Sequence, residues 1–356
     1  MELTGRPDGP AVAPPHRLLR GLDRLVESLG RSSARVGNEV LVDWDLLVTT
    51  RARMMGLRRS GRRSANGTCR LLKSADGWMA INLARPEDLA SVEALLQSGV
   101  QSGAKSGASE DTWGVLEAAI ASGASSYFVD RARLLGMPAA ALGDADSNAP
   151  PWCARRISAR RPVRSLDELR IVDLSSLWAG PLAARLIWDC GGRVTKVESL
   201  SRPDSTREAS DFFATLHPAE QELITLDFRS APGKRDLEML LADADVVIES
   251  SRPRALEQLG LAFSDVQARP GKVWLSITGY GRERPGRDWV AFGDDSAVAG
   301  GLVAWEDERN PVFCGDAIGD PITGMTAALA VFRSLADGGG VLLDVPMRNS
   351  VAHLCS

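Results

Sequence analysis

Two aspartates, Asp316 and Asp320, lie four residues apart in the stretch CGDAIGDPITGM, directly before a long apolar run. An ionised carboxylate can act as a nucleophile, and the N-terminus of a helix stabilises its negative charge. Asp320 is followed by Pro321, and Asp-Pro is favoured at the N-cap and first position of a helix. Local sequence therefore favours a capping role for Asp320, in a geometry that also suits a nucleophile. We expect Asp316 to be a solvated or hydrogen-bonded loop carboxylate.

A second acidic pair, Asp294 and Asp295, precedes the small-residue segment SAVAGGL and indicates another helix N-terminus. The chain has three histidines, which leaves little room for a Ser-His-Asp triad or a His-rich metal site. Its five cysteines are scattered without a C-x-x-C pair, which disfavours a zinc site or a disulfide framework. We therefore expect carboxylate chemistry and no metal.

Composition excludes several classes of protein. The 356 residues are 44% hydrophobic and 25% charged, with a formal net charge of -4. These values are typical of a soluble globular protein and give no electrostatic signature for nucleic acid. No apolar run approaches the roughly 20 residues that span a bilayer, and the N-terminus does not resemble a signal peptide. We expect a cytoplasmic protein that binds neither nucleic acid nor membrane.

The second half of the chain alternates short β-branched runs with helical patterns, which predicts an α/β fold with a doubly wound, mainly parallel sheet. The turn after its first strand, SSLWAGP, lacks the G-x-G-x-x-G fingerprint, so a dinucleotide cofactor is disfavoured. Ligands of such sheets bind beyond the carboxyl ends of the strands. The candidate ligand loops therefore span residues 175–181, 198–207, 249–254 and 278–287.

The first half has a different texture. Residues 1–16 are rich in Pro and Gly and predict a flexible leader. Residues 17–147 predict a smaller α+β domain, with a hairpin over 69–83, a helix ending near Gly99 and two further helices. Residues 148–166 read as a linker that is rich in Pro, Ser and Arg. The larger Rossmann-like domain is predicted over residues 167–356.

The larger domain resembles the family III CoA-transferases, the group that includes formyl-CoA transferases and α-methylacyl-CoA racemases. The resemblance rests on residues 169–199, 223–261, 273–287 and 319–351. The first half is similar to the small domain of this family, which normally follows the large one. The chain therefore resembles a circular permutation or a fragment of a tandem fusion. The resemblance also implies an interlocked dimer, either a homodimer or a heterodimer with a homologue.

The resemblance implies a role for particular residues. Asp320, framed by Thr323, Gly324 and Met325, matches the catalytic aspartate, which forms a covalent aspartyl intermediate while CoA moves from an acyl-CoA to a carboxylic acid. Coenzyme A is then a substrate and not a permanently bound cofactor. Two candidate oxyanion sites follow: backbone amides at the start of the helix that carries Asp320, or the backbone of the 64–68 loop through Asn66 and Gly67. The residues that match the CoA-binding positions are Leu177, Trp178, Ala179, Leu226, Asp227, Phe228, Arg229, Ser250, Ser251 and Arg252.

The chain departs from the family pattern at several positions. Ser199 and Gln258 stand where the family often has arginine, and this loss of cations weakens the expected attraction for phosphate. Phe292 and Asp294 replace a basic residue and a Tyr, and racemases place a His at the position of Asp294. Two alternatives stay open: an acyl-CoA racemase or isomerase that uses Asp320 with Asp294 as second acid or base, and an inactive or regulatory subunit that pairs with an active homologue.

Overall fold

The computed structural model describes residues 2–97, 109–162 and 165–355, so the predicted helix end at Gly99 and two residues of the predicted linker lie outside the described residues. The strands are β1 Cys69–Lys73, β2 Trp78–Asn82, β3 Ala139–Ala141, β4 Cys153–Arg156, β5 Arg170–Asp173, β6 Arg193–Ser199, β7 Glu222–Leu226, β8 Val246–Glu249, β9 Val273–Thr278, β10 Ala304–Asp307, β11 Asn310–Val312 and β12 Val341–Pro346. The helices are α1 His16–Ser33, α2 Trp44–Met55, α3 Pro86–Ala90, α4 Val92–Leu96, α5 Glu110–Ala121, α6 Ser125–Leu134, α7 Ala179–Asp189, α8 Ser210–Leu216, α9 Ala231–Asp243, α10 Pro253–Leu259, α11 Gly293–Ala299, α12 Gly319–Ala336 and α13 Met347–Cys355.

The main sheet has seven strands in the order β4-β12-β9-β8-β5-β6-β7. All neighbours pair in parallel except β4, which runs antiparallel to β12 at one edge. Its central strands β8 and β9 are rich in β-branched residues and are fully buried, as expected when helices cover both faces of a parallel sheet. The mainly parallel, doubly wound α/β fold is confirmed.

The strand order reverses direction between β5 and β8. From β5 the chain proceeds outward through β6 and β7, and it then returns to place β8, β9 and β12 on the other side. This is the switch point of a doubly wound sheet, where the loops after adjacent strands separate and leave a crevice. The backbone N–H of Ser176, after β5, donates to the Oγ of Ser250, after β8, across this crevice at 3.2 Å.

Helix α12 is the central helix of the large core. Its Ala-rich sequence favours helix, and 14 of its 18 residues are buried, as suits a helix surrounded by other elements. Gly324 lets α12 approach α7 closely, because a Cβ at this position would lie 2.7 Å from the Ala179 carbonyl oxygen. The glycine of the Thr-Gly-Met frame therefore has a packing role between α7 and α12.

The N-terminal helix α1 lies in the large core and not with the small domain. Leu18, Leu22, Leu25 and Leu29 are buried in the same apolar cluster as the buried side chains of α7 and α12. The prediction that the small domain begins at residue 17 therefore disagrees with the packing, which places α1 in the large core. The reason is the leucine spacing of α1, which gives it one apolar stripe that packs on α12 and α13.

The small unit around β1, β2 and β3 has its own core. Strands β1 and β2 form the predicted antiparallel hairpin, and β3 pairs with β2. Helices from α3 to α6 cover this sheet, with Trp113, Leu116 and Ile120 among the buried side chains. The run that predicts one helix over 87–99 is divided at Ser91 into α3 and α4 in its described part.

Two predicted irregular segments make specific contacts. Strand β4 lies within the predicted linker and adds an edge to the main sheet. In the predicted leader, Thr4 is fully buried, and its hydroxyl accepts from the Gly315 N–H at 3.2 Å. None of the helices in the described residues is long and apolar enough to cross a membrane.

Candidate active site

A cavity opens at the switch point, beyond the carboxyl ends of the central strands. Its walls come from the turn after β5, the loop after β8, the segment after β9 and the first turn of α12. The residues that line it include Ser176, Leu177, Ala179, Ser250, Ser251, Arg252, Thr278, Gly279, Trp289, Phe292 and Asp320. The fold therefore brings Asp320 together with five of the ten residues implied to bind CoA.

Three helix N-termini converge on Asp320. It is the second residue of α12, while the backbone N–H groups of Ala179, at the start of α7, and Gly293, at the start of α11, face its carboxylate. Burial raises the pKa of Asp320 to about 6, whereas the charge of Arg51 and the two amides act to lower it. Asp320 is therefore largely ionised at neutral pH despite its enclosure.

The prediction that Asp320 is the N-cap of its helix is wrong. Helix α12 begins at Gly319, with Ile318 in the cap position, and the Asp320 N–H donates to the Ala317 carbonyl at 2.9 Å. The helical turn thus starts before Asp320, which leaves its side chain free to face the amides of the two neighbouring helices.

Gly293 sets the closest approach to the Asp320 carboxylate. A Cβ built on Gly293 would lie 2.3 Å from Asp320 Oδ2 and 2.2 Å from the Ala317 carbonyl oxygen. Real atoms do not approach so closely, so the contact between the start of α11 and Asp320 requires glycine.

Three more aspartates are buried beside Asp320. Asp294 and Asp295 lie in the first turn of α11, which confirms the helix predicted there. The Ala317 N–H donates to Asp294 at 3.0 Å, and the Phe292 N–H and Asn82 Nδ2 donate to Asp295 at 3.0 and 3.3 Å.

Burial and like charge raise the pKa values of these carboxyls. Burial, with Asp316 nearby, raises the pKa of Asp294 to about 8, and burial raises that of Asp295 to about 7. Burial also raises the pKa of Asp316. Near neutral pH the cluster therefore holds protons on some carboxyls while Asp320 stays largely ionised.

Asp316 is not the solvated or hydrogen-bonded loop carboxylate that its local sequence predicts. It is fully buried, and within the described ranges neither of its carboxylate oxygens has a hydrogen-bond partner. Instead, Oδ2 lies 3.4 Å from Nε of Arg51 on α2. The guanidinium of Arg51 also stacks on the ring of Trp178, 5.5 Å from its centroid.

Several arginines surround the outer part of the cavity. Burial and the nearby charges of Arg254, Arg85 and Arg202 lower the pKa of Arg252, which itself lines the cavity. Clustered guanidinium groups of one sign are stabilised by a bound anion. Ser199 stands at a position where the family often has a cation. Arg202 lies three residues beyond it and supplies a positive charge close to the one that is missing.

A buried charge network supports the turn that precedes Ala179. Leu177 has a left-handed backbone with φ of 71°, and its N–H donates to both carboxylate oxygens of Asp204 at 3.2 Å. Asp204 and Asp173 lie 3.6 and 3.5 Å from the fully buried ammonium of Lys196. The network holds the strained turn in place, and with it the amide of Ala179 that faces Asp320.

Other predicted residues lie outside the cavity. The side chain of Trp178 is buried and packs edge-on against Phe212. Leu226 ends β7, and residues 227–229 follow it at the same carboxyl edge of the sheet, two strands away from β5, or about 10 Å. They do not line the cavity.

The loop at residues 64–68 also does not line the cavity. The Asn66 side chain accepts from the Ser64 hydroxyl and from the N–H and hydroxyl of Thr68, so it closes its own turn. Asn66 and Gly67 are therefore not placed against Asp320 in this chain.

Sequence reasoning missed Arg51 and Asn82, and for Asp295 it predicted only a position at a helix N-terminus. Arg51 is one of several arginines in its region, and Asn82 ends a hairpin strand, so neither carries a local signal. Within the described residues, no group of three or more His, Cys, Asp or Glu side chains has a metal-binding arrangement.

The second half of the chain shows its relationship to a known protein family. The model of CoA-transferase family III matches residues 166–356, more than half of its length. The chain belongs to CoA-transferase family III. Because the match begins at residue 166, every residue that lines the cavity around Asp320 lies in the matched region. Arg51 and Asn82 lie outside it.

Individual members of family III resemble part of the chain. The succinyl-CoA–D-citramalate CoA-transferase of Chloroflexus aurantiacus is 30% identical over 56% of this chain and 53% of that protein. The human succinyl-CoA:glutarate CoA-transferase is 29% identical over 56% of this chain and 49% of that protein. A hypothetical protein of Mycobacterium tuberculosis, 27% identical, has a TM-score of 0.48 over 55% of this chain and 58% of that structure. The chain thus spans about half the length of the curated relatives it matches.

Proposed function

We propose that this chain transfers CoA from an acyl-CoA thioester to a carboxylic acid, with Asp320 as the nucleophile. The observation that carries the proposal is the position of Asp320 in the switch-point cavity, faced by the amides of Ala179 and Gly293. Membership of CoA-transferase family III supports the reaction class. The names of the relatives favour a dicarboxylic acid as acyl donor or acceptor.

The reaction proceeds by two exchanges at one carboxylate. An oxygen of Asp320 attacks the thioester carbonyl, the C–S bond breaks, and the CoA thiolate leaves with the electron pair, so that a mixed anhydride forms. The thiolate then attacks the aspartyl carbonyl carbon, which releases the donor acid and leaves an aspartyl-CoA thioester. The acceptor carboxylate repeats both steps in reverse order and restores Asp320. No net proton is consumed, which suits a nucleophile that is already ionised.

The helix N-termini supply electrostatic stabilisation. Each attack places negative charge on a carbonyl oxygen close to Asp320, where the amides of Ala179 and Gly293 already point. These amides are fixed by α7 and α11, so they need little reorganisation when the charge develops. This assigns the oxyanion role to helix starts of the large domain and not to Asn66 and Gly67.

The remainder of CoA requires more room than the cavity provides. The cavity volume is about 100 Å³, whereas pockets that hold drug-sized ligands have volumes of about 300 to 1,000 Å³. We infer that only the thioester end enters. The phosphates then lie near the arginines around Arg252, and the adenine lies toward residues 226–229, farther along the same sheet edge.

The racemase alternative requires Asp294 to face the substrate. Asp294 is 3% exposed, does not line the cavity and accepts a hydrogen bond from the Ala317 amide. This geometry favours a structural role for Asp294, so we propose the transferase and not the racemase.

The test is a trapping experiment. The protein is incubated with succinyl-CoA and hydroxylamine, and peptides are analysed by mass spectrometry. We expect a hydroxamate on Asp320, because hydroxylamine cleaves an aspartyl thioester or anhydride. Asp320→Asn abolishes the adduct, whereas Asp307→Asn, at an exposed carboxyl of the β10–β11 hairpin, leaves it unchanged.

Two other outcomes would replace the proposal. Exchange of the α-proton of an acyl-CoA for deuterium without any adduct would support the racemase. Absence of CoA binding by calorimetry, again without an adduct, would support an inactive or regulatory subunit that pairs with an active homologue.

A further inference from the structure

Arg51 stands apart from the rest of the site because it comes from the N-terminal part of the chain. It lies near the end of α2, more than 100 residues before the region that matches the family. Its side chain is only 16% exposed, and its guanidinium forms an ion pair with Asp316 while stacking on Trp178. Trp178 directly precedes Ala179, whose amide faces Asp320. Arg51 therefore contacts two groups beside Asp320: the Asp316 carboxylate, and the Trp178 ring that precedes the Ala179 amide.

The charge balance of the cluster depends on this residue. Asp294, Asp316 and Asp320 all experience the positive charge of Arg51, which opposes the effect of burial on each carboxyl. Arg is suited to this position because its guanidinium stays protonated, and its planar group can stack and pair at the same time. The charged or titratable groups that face the cluster from the elements packed around it are Arg51 from α2, Cys69 from β1, Arg85 from the start of α3, Tyr280 from the loop after β9, Asp294 and Asp295 from α11, and Asp316 from the turn before α12.

We propose that Arg51 is a positioning residue for the proposed transferase reaction: it is the counter-charge that keeps Asp320 ionised and in place. The N-terminal part of the chain thereby completes the charge balance of a site whose cavity walls belong entirely to the family-matched region. The inference rests on the proposed function of Asp320 as a nucleophile. Its physical content, the effect of Arg51 on the ionisation of Asp320, can be measured without any turnover.

The sign of the effect follows from electrostatics. Removing the positive charge of Arg51 leaves Asp320 among like charges, so protonation of Asp320 becomes easier and its pKa rises. Removing the negative charge of Asp316 has the opposite effect, because Asp316 raises the pKa of Asp320. An opposite charge close to a carboxyl shifts its pKa by about one unit or more. Arg51→Met and Asp316→Asn should therefore move the titration of Asp320 in opposite directions.

The experiment measures carboxyl labelling of Asp320 by a water-soluble carbodiimide and an amine, from pH 5 to 9, in the protein without CoA. Labelling requires the protonated acid and is quantified by mass spectrometry as the labelled fraction of the peptide that contains Asp320. Asp307 is the negative control, because hydrogen bonds from Asn310 and Arg309 lower the pKa of this exposed carboxyl, so it is ionised throughout the range and should show no midpoint. We expect the midpoint for Asp320 to rise by about one pH unit in Arg51→Met and to fall in Asp316→Asn.

Control variants separate charge from packing. Arg51→Lys retains a charge and should restore most of the midpoint, and Arg53→Met changes an exposed arginine on the same helix and should leave it unchanged. In the trapping assay, Arg51→Met should form the Asp320 adduct about fivefold more slowly at pH 6 and approach the parent rate above pH 8, with the substrate KM unchanged.

The outcomes distinguish the inference from the function on which it rests. Equal midpoints in the parent, Arg51→Met and Asp316→Asn proteins, with native circular dichroism, would overturn the role of Arg51. If Arg51→Met does not fold, Asp316→Asn and Arg51→Lys still give a midpoint each, and a midpoint that rises in Asp316→Asn contradicts the proposal. A shifted midpoint without any hydroxamate in the parent protein would retain the role of Arg51 while removing the transferase reaction.

Discussion

Gly293 determines how closely the start of α11 can approach the carboxylate of Asp320. With hydrogen as its side chain, it brings its amide to Asp320 and leaves room for Oδ2. Any Cβ would have to displace either the Asp320 carboxylate or the backbone at Ala317. At the residue scale, this one glycine therefore allows an amide to lie close to the carboxylate of the proposed nucleophile and also leaves room for that carboxylate.

Gly293→Ala should lower adduct formation at Asp320 by about a hundredfold, since a displacement of about 1 Å at a reacting group has effects of this size. Forcing the methyl into the packed start of α11 should also cost about 1–3 kcal/mol of the free energy of unfolding. Urea denaturation and the hydroxamate assay measure the two effects separately.

The matched control is Gly114→Ala in the middle of α5, where a Cβ would meet no atom within 4 Å. That substitution should stabilise the protein by about 0.5–1 kcal/mol and leave the adduct unchanged, because alanine favours helix over glycine. Normal adduct formation in Gly293→Ala would contradict the close approach at this position.

Some residues of the site could be predicted from the sequence, because the signal that marks them comes from neighbours close by in the chain. Asp320 stood out because its signal is local, a carboxylate at a helix start. The surroundings of Asp316 could not be predicted, because its partner Arg51 is more than 260 residues away in the chain and belongs to an arginine-rich segment. Contacts that join distant segments leave no mark in the periodicity or composition of either one.

At the scale of elements, α11 carries two buried carboxyls in its first turn. Helix N-termini favour negative charge, and Asp295 accepts the Phe292 amide there. Burial outweighs this contribution, since it raises the pKa values of Asp294 and Asp295 to about 8 and 7. A carboxyl that binds its proton more tightly in the folded state than in the unfolded state reduces stability as the pH rises between the two pKa values.

Asp294→Asn should therefore stabilise the protein more at pH 8.5 than at pH 5. The unfolded aspartate is ionised at both values, whereas the folded Asp294 keeps its proton up to about pH 8, so folding must take up a proton at a free-energy cost that grows with pH and that Asn avoids. Asn retains an oxygen that can accept from the Ala317 amide. We expect the gain at pH 8.5 to exceed that at pH 5 by about 1 kcal/mol or more in urea denaturation.

Asp76→Asn provides the comparison. Asp76 is exposed, and hydrogen bonds from the Ser125 amide and the Ser74 hydroxyl lower its pKa. Its contribution to stability is present above the unfolded pKa and is lost only as the pH falls through the lower folded value. Its substitution should have the same effect at pH 5 and pH 8.5. An equal effect of Asp294→Asn at the two pH values would show that Asp294 is ionised in both.

The elements of the large domain were largely predictable because their patterns are local. Runs such as Val246–Glu249 predict buried parallel strands, and the Gly-containing ends of α7 and α10 mark where helices stop. The start of α12 was misplaced because the turn before it, at residues 315–318, continues into the helix. Strand β4 was missed because all four of its side chains are exposed, so burial leaves no alternation in its sequence.

At the scale of the whole molecule, the N-terminal segment and the family-matched region form one core. Helix α1 buries its leucine stripe against α12 and α13, and α2, which follows it, carries Arg51 to the aspartates. The predicted domain order placed both helices in the small domain, because sequence continuity was the only guide to their location. The packing instead makes the position of Arg51 depend on a helix that anchors in the core of the other domain.

Leu22→Ala should therefore destabilise the large domain, at a cost of about 2–5 kcal/mol for a fully buried leucine that leaves a cavity. Urea denaturation followed by total tryptophan fluorescence, to which the buried Trp178 and Trp274 of the large domain contribute, would report the change in the transition. Leu41→Ala, at a leucine that is 84% exposed in the connection between α1 and α2, should change the same transition by less than about 0.5 kcal/mol. If Leu22→Ala leaves the tryptophan transition where it is in the parent protein, α1 is not part of the large core, and the route by which the N-terminal segment positions Arg51 would have to be a different one.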